Sequence, residues 1–298
     1  MLYQPDNALI NELIDLKIIE PSSVIKFYPQ VRDRADVGVL KCTKSGVIFL
    51  DRTDHLERTY YQSKSGTSYW SSDDRATGLK ETAPDDNRRA GQIRSMVEGK
   101  VYTDVGSGLG GILDLMKASA SSIHAVEPQN DIRENLKHIG YDVYDSIASL
   151  EKSGIQSDVI TLFHVFEHIT NPLESLKMLH ASLKKGGKIV IEVPHANDAL
   201  IKYYDLEAFK KFTFWGEHLI LHTRDSLRKY LQAAGFNNIQ VNGYQRFPLS
   251  NHLYWLKNHQ PGGQNILKEM RDPALEKAYD LHLDHLDMTD TIIAVAEA

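Results

Sequence analysis

The chain has 298 residues, 42% of them hydrophobic and 25% charged, with a formal net charge of -6. This composition belongs to a folded globular chain with length enough for one large α/β domain and additions. The acidic balance argues against a general affinity for nucleic acid or an anionic membrane surface. A lone cysteine, Cys42, excludes an intrachain disulfide and fits a reducing compartment. No apolar run reaches membrane-spanning length, and residues 1–20 lack the layout of a signal peptide. A cytoplasmic location is therefore expected.

Residues 7–19 place Leu9, Ile10, Leu13, Ile14 and Leu16 near helical spacing, with Pro21 as a stop. Residues 37–50 read as two strands around a turn at Lys44-Ser45-Gly46. Residues 60–72 are aromatic and polar, with Tyr60, Tyr61, Tyr69 and Trp70, and suggest either a surface loop or a flap over a bound molecule. Residues 85–97 predict a helix capped near Asp85 or Asp86.

Residues 101–127 form the centre of the chain. A short β-prone run breaks into Gly106, Gly108, Gly110 and Gly111, resumes with Ile112, Leu113, Leu115 and Met116 at helical period, and ends on a strand tipped by Glu127. Strand, glycine turn, helix and a second strand ending in an acid make the first half of a nucleotide-binding unit, in which the acid can take the two hydroxyls of a ribose. Gly106, Gly108 and Gly111 also fit the dinucleotide spacing, so an NAD-dependent oxidoreductase stays open. Asp104 tilts the reading, because a carboxylate at the strand end would repel a pyrophosphate and attract an ammonium or sulfonium.

The remaining elements follow in order: a helix over 131–139, strands over 141–144 and 158–163, and a helix over 173–183. A turn at Lys184 to Gly187, a strand over 188–193, a helix over 223–234 and strands over 238–244 and 291–296 complete them. Alternating strands and helices predict a doubly wound parallel sheet. Residues 245–290 form an insertion of helical pattern.

Read as DxGxGxG, Asp104 to Gly110 resembles the first signature of the class I S-adenosylmethionine-dependent methyltransferases. That resemblance covers roughly residues 99–244 plus the final strand. It implies a Rossmann-like sheet of seven strands with an antiparallel last strand, S-adenosylmethionine as cofactor and S-adenosylhomocysteine as product. It places Asp104, Gly106, Ser107, Gly108 and Gly110 at the methionine end, Glu127 and Pro128 at the ribose, Ser146 and Ile147 at the adenine, and Phe163 and His164 along the cofactor. A second, partial resemblance joins Cys42-Thr43-Lys44-Ser45-Gly46, the strand Val47 to Leu50 and the pair Tyr60-Tyr61 to bacterial sugar methyltransferases that begin with a zinc ribbon. One cysteine cannot hold a structural zinc, so a metal-free relic is expected.

Two further motifs invite chemistry. His164-Val165-Phe166-Glu167-His168 spells HxxEH, which on a helix would bind zinc as in an inverted zincin, a peptidase alternative. The same run resembles the loop after strand four of a methyltransferase, with His164 beside the cofactor and His168 facing the acceptor. Trp215-Gly216-Glu217-His218-Leu219 follows Tyr203, Tyr204, Phe209, Phe212 and Phe214 and resembles the Glu-His-Leu stretch of sugar C-methyltransferases. By that resemblance Glu217 and His218 remove the acceptor proton, with His164 or His168 as substitutes. Tyr61, His195, Tyr203 and Trp215 are expected at the acceptor, and no metal is expected. The predicted organisation is an extension over 1–84, a donor-binding domain over 85–244 plus 289–298, and an insertion over 245–288 acting as lid or dimer surface. The expected partner is a small polar acceptor such as a sugar, nucleotide-linked sugar or glycan precursor, with no nucleic acid and no membrane insertion, and a homodimer left open.

Overall fold

A computed structural model describes residues 7–56 and 74–298. The expected flap, including Tyr61, lies outside the described residues. The chain opens with α1 (Ala8–Asp15), capped by the Asn7 side chain on the Ile10 amide, and three antiparallel strands, β1 (Val24–Tyr28), β2 (Val39–Cys42) and β3 (Ile48–Leu50). The turn between β2 and β3 has Gly46 at φ 78°, a conformation that favours glycine.

Next comes α2 (Arg75–Val97), which starts ten residues earlier than its sequence suggests. Asp85 and Asp86, expected at the cap, sit inside the helix together with Pro84, and the cap is Asp74 accepting from the Thr77 amide at 2.9 Å. Then follow β4 (Val101–Val105), α3 (Gly111–Met116), β5 (Ser122–Val126), α4 (Asn130–His138), β6 (Asp142–Tyr144), α5 (Ile147–Ser153), β7 (Ser157–Phe163) and α6 (Pro172–Ala181). The strand β8 (Leu183–Pro194) takes in the Lys184 to Gly187 segment expected as a turn. Its register against β7 jumps from Ser157–Leu183 to Val159–Lys188, so the glycine pair bulges out and bonds to the chain end through Ala298. The second half adds α7 (Ala199–Lys202), α8 (Glu207–Thr213), β9 (Ile220–Leu221), α9 (Arg224–Ala233) and β10 (Asn237–Tyr244). The helical insertion gives α10 (Leu249–Asn258), α11 (Gly263–Ile266) and α12 (Pro273–His285) before β11 (Thr291–Glu297).

The main sheet runs β10-β11-β8-β7-β4-β5-β6, with β11 antiparallel to both neighbours and the other pairs parallel. This is the doubly wound sheet with an antiparallel last strand. One face buries Tyr102, Val159 and Val190 against Ile93 of α2, Leu113 of α3 and Leu136 of α4. The other buries Val105, Ile160 and Ile191 against Leu150, Leu176 and Leu227. Strands covered on both faces explain the near-continuous apolar runs of β7 and β8.

A second sheet, β1-β2-β3-β9, ties the start of the chain to the segment before α9. The two residues of β9 carry no period of their own, so this pairing was invisible in sequence. Its effect is to hold the 214–222 segment. Arg32 donates its amide to the Phe214 carbonyl, Leu50 to that of Leu219, and the Gly216 amide reaches Asp33 Oδ1 at 2.8 Å. The Arg32 guanidinium lies 4.8 Å from the Trp215 ring centre. No helix among the described residues is long and apolar enough to cross a membrane.

Candidate active site

The glycine turn leaves β4 with Gly106, Gly108 and Gly110 at φ 74°, 49° and 79°. At Gly106 a Cβ would lie 2.3 Å from Val165 Cγ2, and at Gly111 a Cβ would lie 2.1 Å from Asp86 Oδ2. Both glycines are thus required by backbone angle or by close packing against the next loop and α2. Ser107 closes the turn, its hydroxyl donating to the Asp104 carbonyl at 2.9 Å.

Asp104 is 3% exposed. Its register partner on β7 is Thr161, which points to the same face and donates its hydroxyl to Asp104 Oδ1 at 2.6 Å. Burial pushes the Asp104 carboxyl up to about 7, against the pull of Thr161 and Ser107. Glu127 at the tip of β5 is equally buried, and its oxygens accept the amides of Gly108 at 2.8 Å and Gln129 at 2.9 Å. Burial raises it also to about 7, offset by those amides. Glu127 therefore braces the glycine turn in addition to standing at the expected ribose position. Arg133 bonds the carbonyls of Glu127 and Pro128. Ser146 caps α5 on the Ser149 amide, and it and Ile147 stay half-buried at the sheet edge. Two buried carboxylates to which no cationic side chain among the described residues is hydrogen-bonded suit a positively charged ligand and would repel a pyrophosphate.

A cavity of about 660 Å³ lies beyond the carboxyl ends of β7 and β8, where ligands bind in doubly wound sheets. Phe163, His164, His168, His195, Trp215 and His218 are on its wall. His164 closes β7 at φ 55°, a strained angle for a residue with a side chain. Its Nδ1 is 3.2 Å from Glu167 Oε1 and its Nε2 is 3.3 Å from Glu192 Oε1. Burial would lower its pKa, but the two carboxylates more than offset that and raise it. Glu167, fully buried in the short 3-10 turn Phe166–His168, is held ionised near pKa 2 against burial by His164 and the neighbouring imidazoles. His218 is pushed down to about 3 by burial and by His168, so its ring is neutral at physiological pH. The rings of His168 and His218 meet edge to face at 5.0 Å.

The structure revises several sequence expectations. The HxxEH run is a strand end and a 3-10 turn, so its two histidines do not share one face of an α-helix as a zincin requires. Glu217 is 1% exposed and does not line the cavity, and the carboxylate grouped with His218 is Glu167. Tyr203 is 70% exposed, edge-on to Tyr204, and also lies off the cavity wall. His195 does reach the cavity, but its Nδ1 is 2.9 Å from the Thr289 carbonyl and burial pushes it down to about 4.

Sequence reading missed the charged network behind this wall. Glu192, fully buried on β8, takes hydrogen bonds from Arg88 at 2.8 and 2.9 Å and from Arg89 at 2.7 and 3.1 Å. Burial would raise it, yet His164 and the two arginines hold it far below the carboxylate range. Arg89 lies 4.9 Å from the Phe163 ring centre. Arg246 donates from Nε and Nη2, one edge of its guanidinium, to the Asp85 carboxylate, and Asp290 accepts the amides of Arg246 and Phe247. A lone Glu in the apolar run IVIEVP was the available signal for Glu192. The insertion adds His252 and Trp255 to the cavity.

Comparison with known proteins agrees with this geometry. A family model described as a methyltransferase domain matches residues 79–241. A ubiquinone biosynthesis O-methyltransferase from Coxiella burnetii is 24% identical over 168 residues, 52% of this chain and 71% of that protein. A SAM-dependent methyltransferase structure from Archaeoglobus fulgidus aligns over 78% of this chain and 97% of its own, at 16% identity and TM-score 0.51. The complex of the Haloferax volcanii Trm112 methyltransferase activator with a methyltransferase aligns over 75% of this chain and 95% of that chain, at 13% identity and TM-score 0.50. At these identities the two structures speak for the fold.

Proposed function

We propose an acceptor for a chain that belongs to the methyltransferase-domain family: it methylates a small polar molecule, a sugar, nucleotide-linked sugar or glycan precursor. S-adenosylmethionine is the methyl donor, supplying a methyl group on a sulfonium that departs as a neutral thioether. Family membership replaces the oxidoreductase and peptidase alternatives.

One observation carries the acceptor reading. The cavity pairs flat aromatic faces (Phe209, Phe212, Trp215, Trp255) with polar side chains of a kind that binds hydroxyls (Asp198, Asn251, Gln264). Aromatic bodies with a few placed polar groups suit a hydroxylated ring, which presents an apolar face and a polar rim. The Coxiella relative is named an O-methyltransferase, which favours oxygen as the accepting atom.

On this reading Asp104 and the glycine turn orient the donor's methionine end, Glu127 its ribose, and Ser146 and Ile147 its adenine. Phe163 and His164 stand between donor and cavity. Methyl transfer is an in-line displacement, so holding donor and acceptor in near-attack geometry supplies much of the rate. The acceptor's proton goes, on this reading, to an imidazole of the cavity wall, the task expected from sequence of His218 with Glu217 and of His164 or His168 as substitutes; burial makes His218 a weak base, which favours His168.

The test is calorimetric titration with S-adenosylmethionine and with NAD, followed by a panel of sugars and nucleotide sugars monitored for S-adenosylhomocysteine release. Donor binding with turnover of a hydroxylated ring supports the reading. Donor binding with turnover only of apolar or nitrogen acceptors refutes it.

A further inference from the structure

Glu167, His168 and His218 each place one ligand-type atom within 4.8 Å of the other two. Two of them come from the turn after β7 and the third from the loop pinned by the N-terminal sheet, so tertiary structure alone assembles the group. Glu167 is fully buried, and its Oε2 has no hydrogen-bond partner among the described residues. The buried Nδ1 of His218 has none either. Buried polar atoms left unpaired are costly and rare, and two of them in one cluster beside a cavity ask for a further partner. Glu167 Oε1 lies 3.9 Å from His168 Nε2. Both histidines line the cavity wall, so that partner would be reached from the acceptor side.

We propose that Glu167, His168 and His218 hold one divalent first-row transition-metal ion at the inner wall of the acceptor cavity, with its remaining coordination positions open to an acceptor oxygen. Two imidazoles and one carboxylate form a donor set suited to zinc, iron, cobalt or nickel, and a poor one for magnesium, which prefers oxygen ligands throughout. Metal–ligand bonds of about 2.0–2.2 Å require the three atoms to close by roughly an ångström, within reach of side-chain rotation. Three protein ligands and an open face describe a reactive site rather than a structural one. The arrangement differs from the HxxEH reading in its members: His164 is engaged with Glu192, Glu167 becomes a ligand, and His218 completes the set. With an ion bound, the His168 and His218 lone pairs go to the metal and neither ring serves as base; the acceptor hydroxyl, acidified on the ion, releases its proton to water instead. The ion's role in holding an acceptor rests on the proposed function; its binding does not.

The experiment uses the full chain, stripped with a chelator and titrated with Co²⁺, followed by its visible absorption bands and by calorimetry. One ion per chain is expected, with affinity at least about tenfold lower in His218→Gln and in His168→Gln. Near-ultraviolet circular dichroism of each variant reports folding, and Glu167→Gln serves as a third variant if either histidine change unfolds the chain. Equal Co²⁺ affinity in the parent and in a folded variant overturns the proposal, as does failure of the parent to bind. S-adenosylmethionine affinity of the stripped protein is measured in parallel. Intact donor binding without Co²⁺ binding sinks the metal site alone, whereas Co²⁺ binding without donor binding leaves the site standing and removes the acceptor reading.

Discussion

The most informative single change is Asp104→Asn, because on the proposed reading this carboxylate has opposite effects on stability and on donor binding. Burial raises its pKa from 3.8 to about 7. The folded protein therefore keeps a proton that the unfolded chain releases between those values. Stability contributed at this site is greatest below pH 3.8, falls as pH rises through the window, and levels off above 7. The shift of about 3 units amounts to about 4 kcal/mol of destabilisation in the ligand-free protein at high pH. Asparagine keeps the shape and can still accept from Thr161, so it escapes that cost. Chemical denaturation should show the variant more stable than the parent by about 4 kcal/mol at pH 8 and by only about 2 kcal/mol at pH 5, the gap closing below pH 3.8. Donor binding should run the other way. A cation about 5 Å from the ionised carboxylate gains about 3 kcal/mol at an effective dielectric of about 20, or roughly a hundredfold in affinity. Parent affinity should also rise about tenfold from pH 6 to pH 8 as Asp104 ionises, with Glu127 adding to the slope because it too sits near 7. A parent affinity flat across that range, together with a variant that binds the donor within threefold of the parent, would refute the electrostatic argument.

Other expectations can be checked directly. Glu192→Ala leaves Arg88 and Arg89 without their buried partner, and should cost about 3–5 kcal/mol in urea denaturation. Gly106→Ala forces a side chain into a left-handed backbone angle and onto Val165. It should lower stability by about 1–3 kcal/mol and abolish detectable donor binding in calorimetry. Asp33→Ala removes the acceptor of the Gly216 amide, a loss of about 1 kcal/mol that should speed amide exchange in residues 214–222 about fivefold and leave donor affinity unchanged.

How much of this was legible in the sequence depends on whether neighbours in space were neighbours in the chain. The strand–turn–helix–strand unit proposed to hold the donor was legible because β4, the glycine turn, α3 and β5 follow one another and each carries its own period or turn chemistry. Asp104 and Glu127 could be placed by counting from the glycines. The acceptor half has no such continuity. Glu217 looked like the partner of His218 because it precedes it, yet adjacent residues in an irregular loop point apart, and Glu217 is buried away from the cavity. Glu167, fifty residues earlier in a different loop, is grouped with His218 in its place. Tyr203 failed as a wall residue for the same reason: an aromatic-rich stretch without period does not say which rings face inward.

The N-terminal segment explains why that irregular loop is nevertheless well placed. Sequence treated residues 1–84 as an appendage, and a strand as short as β9 cannot announce itself. Its pairing with β3, the amide bonds from Arg32 and Leu50, and the Asp33 carboxylate all fall on residues 214–221. A loop ordinarily carries its reactive side chains at the cost of mobility. Here the loop bearing Trp215 and His218 gains hydrogen bonds from residues 32–50, none of which lines the described cavity wall. On the proposed reading, the extension thus does for the acceptor side what Glu127 does for the donor side, fixing an otherwise unsupported turn so that its polar groups would meet the ligand already oriented.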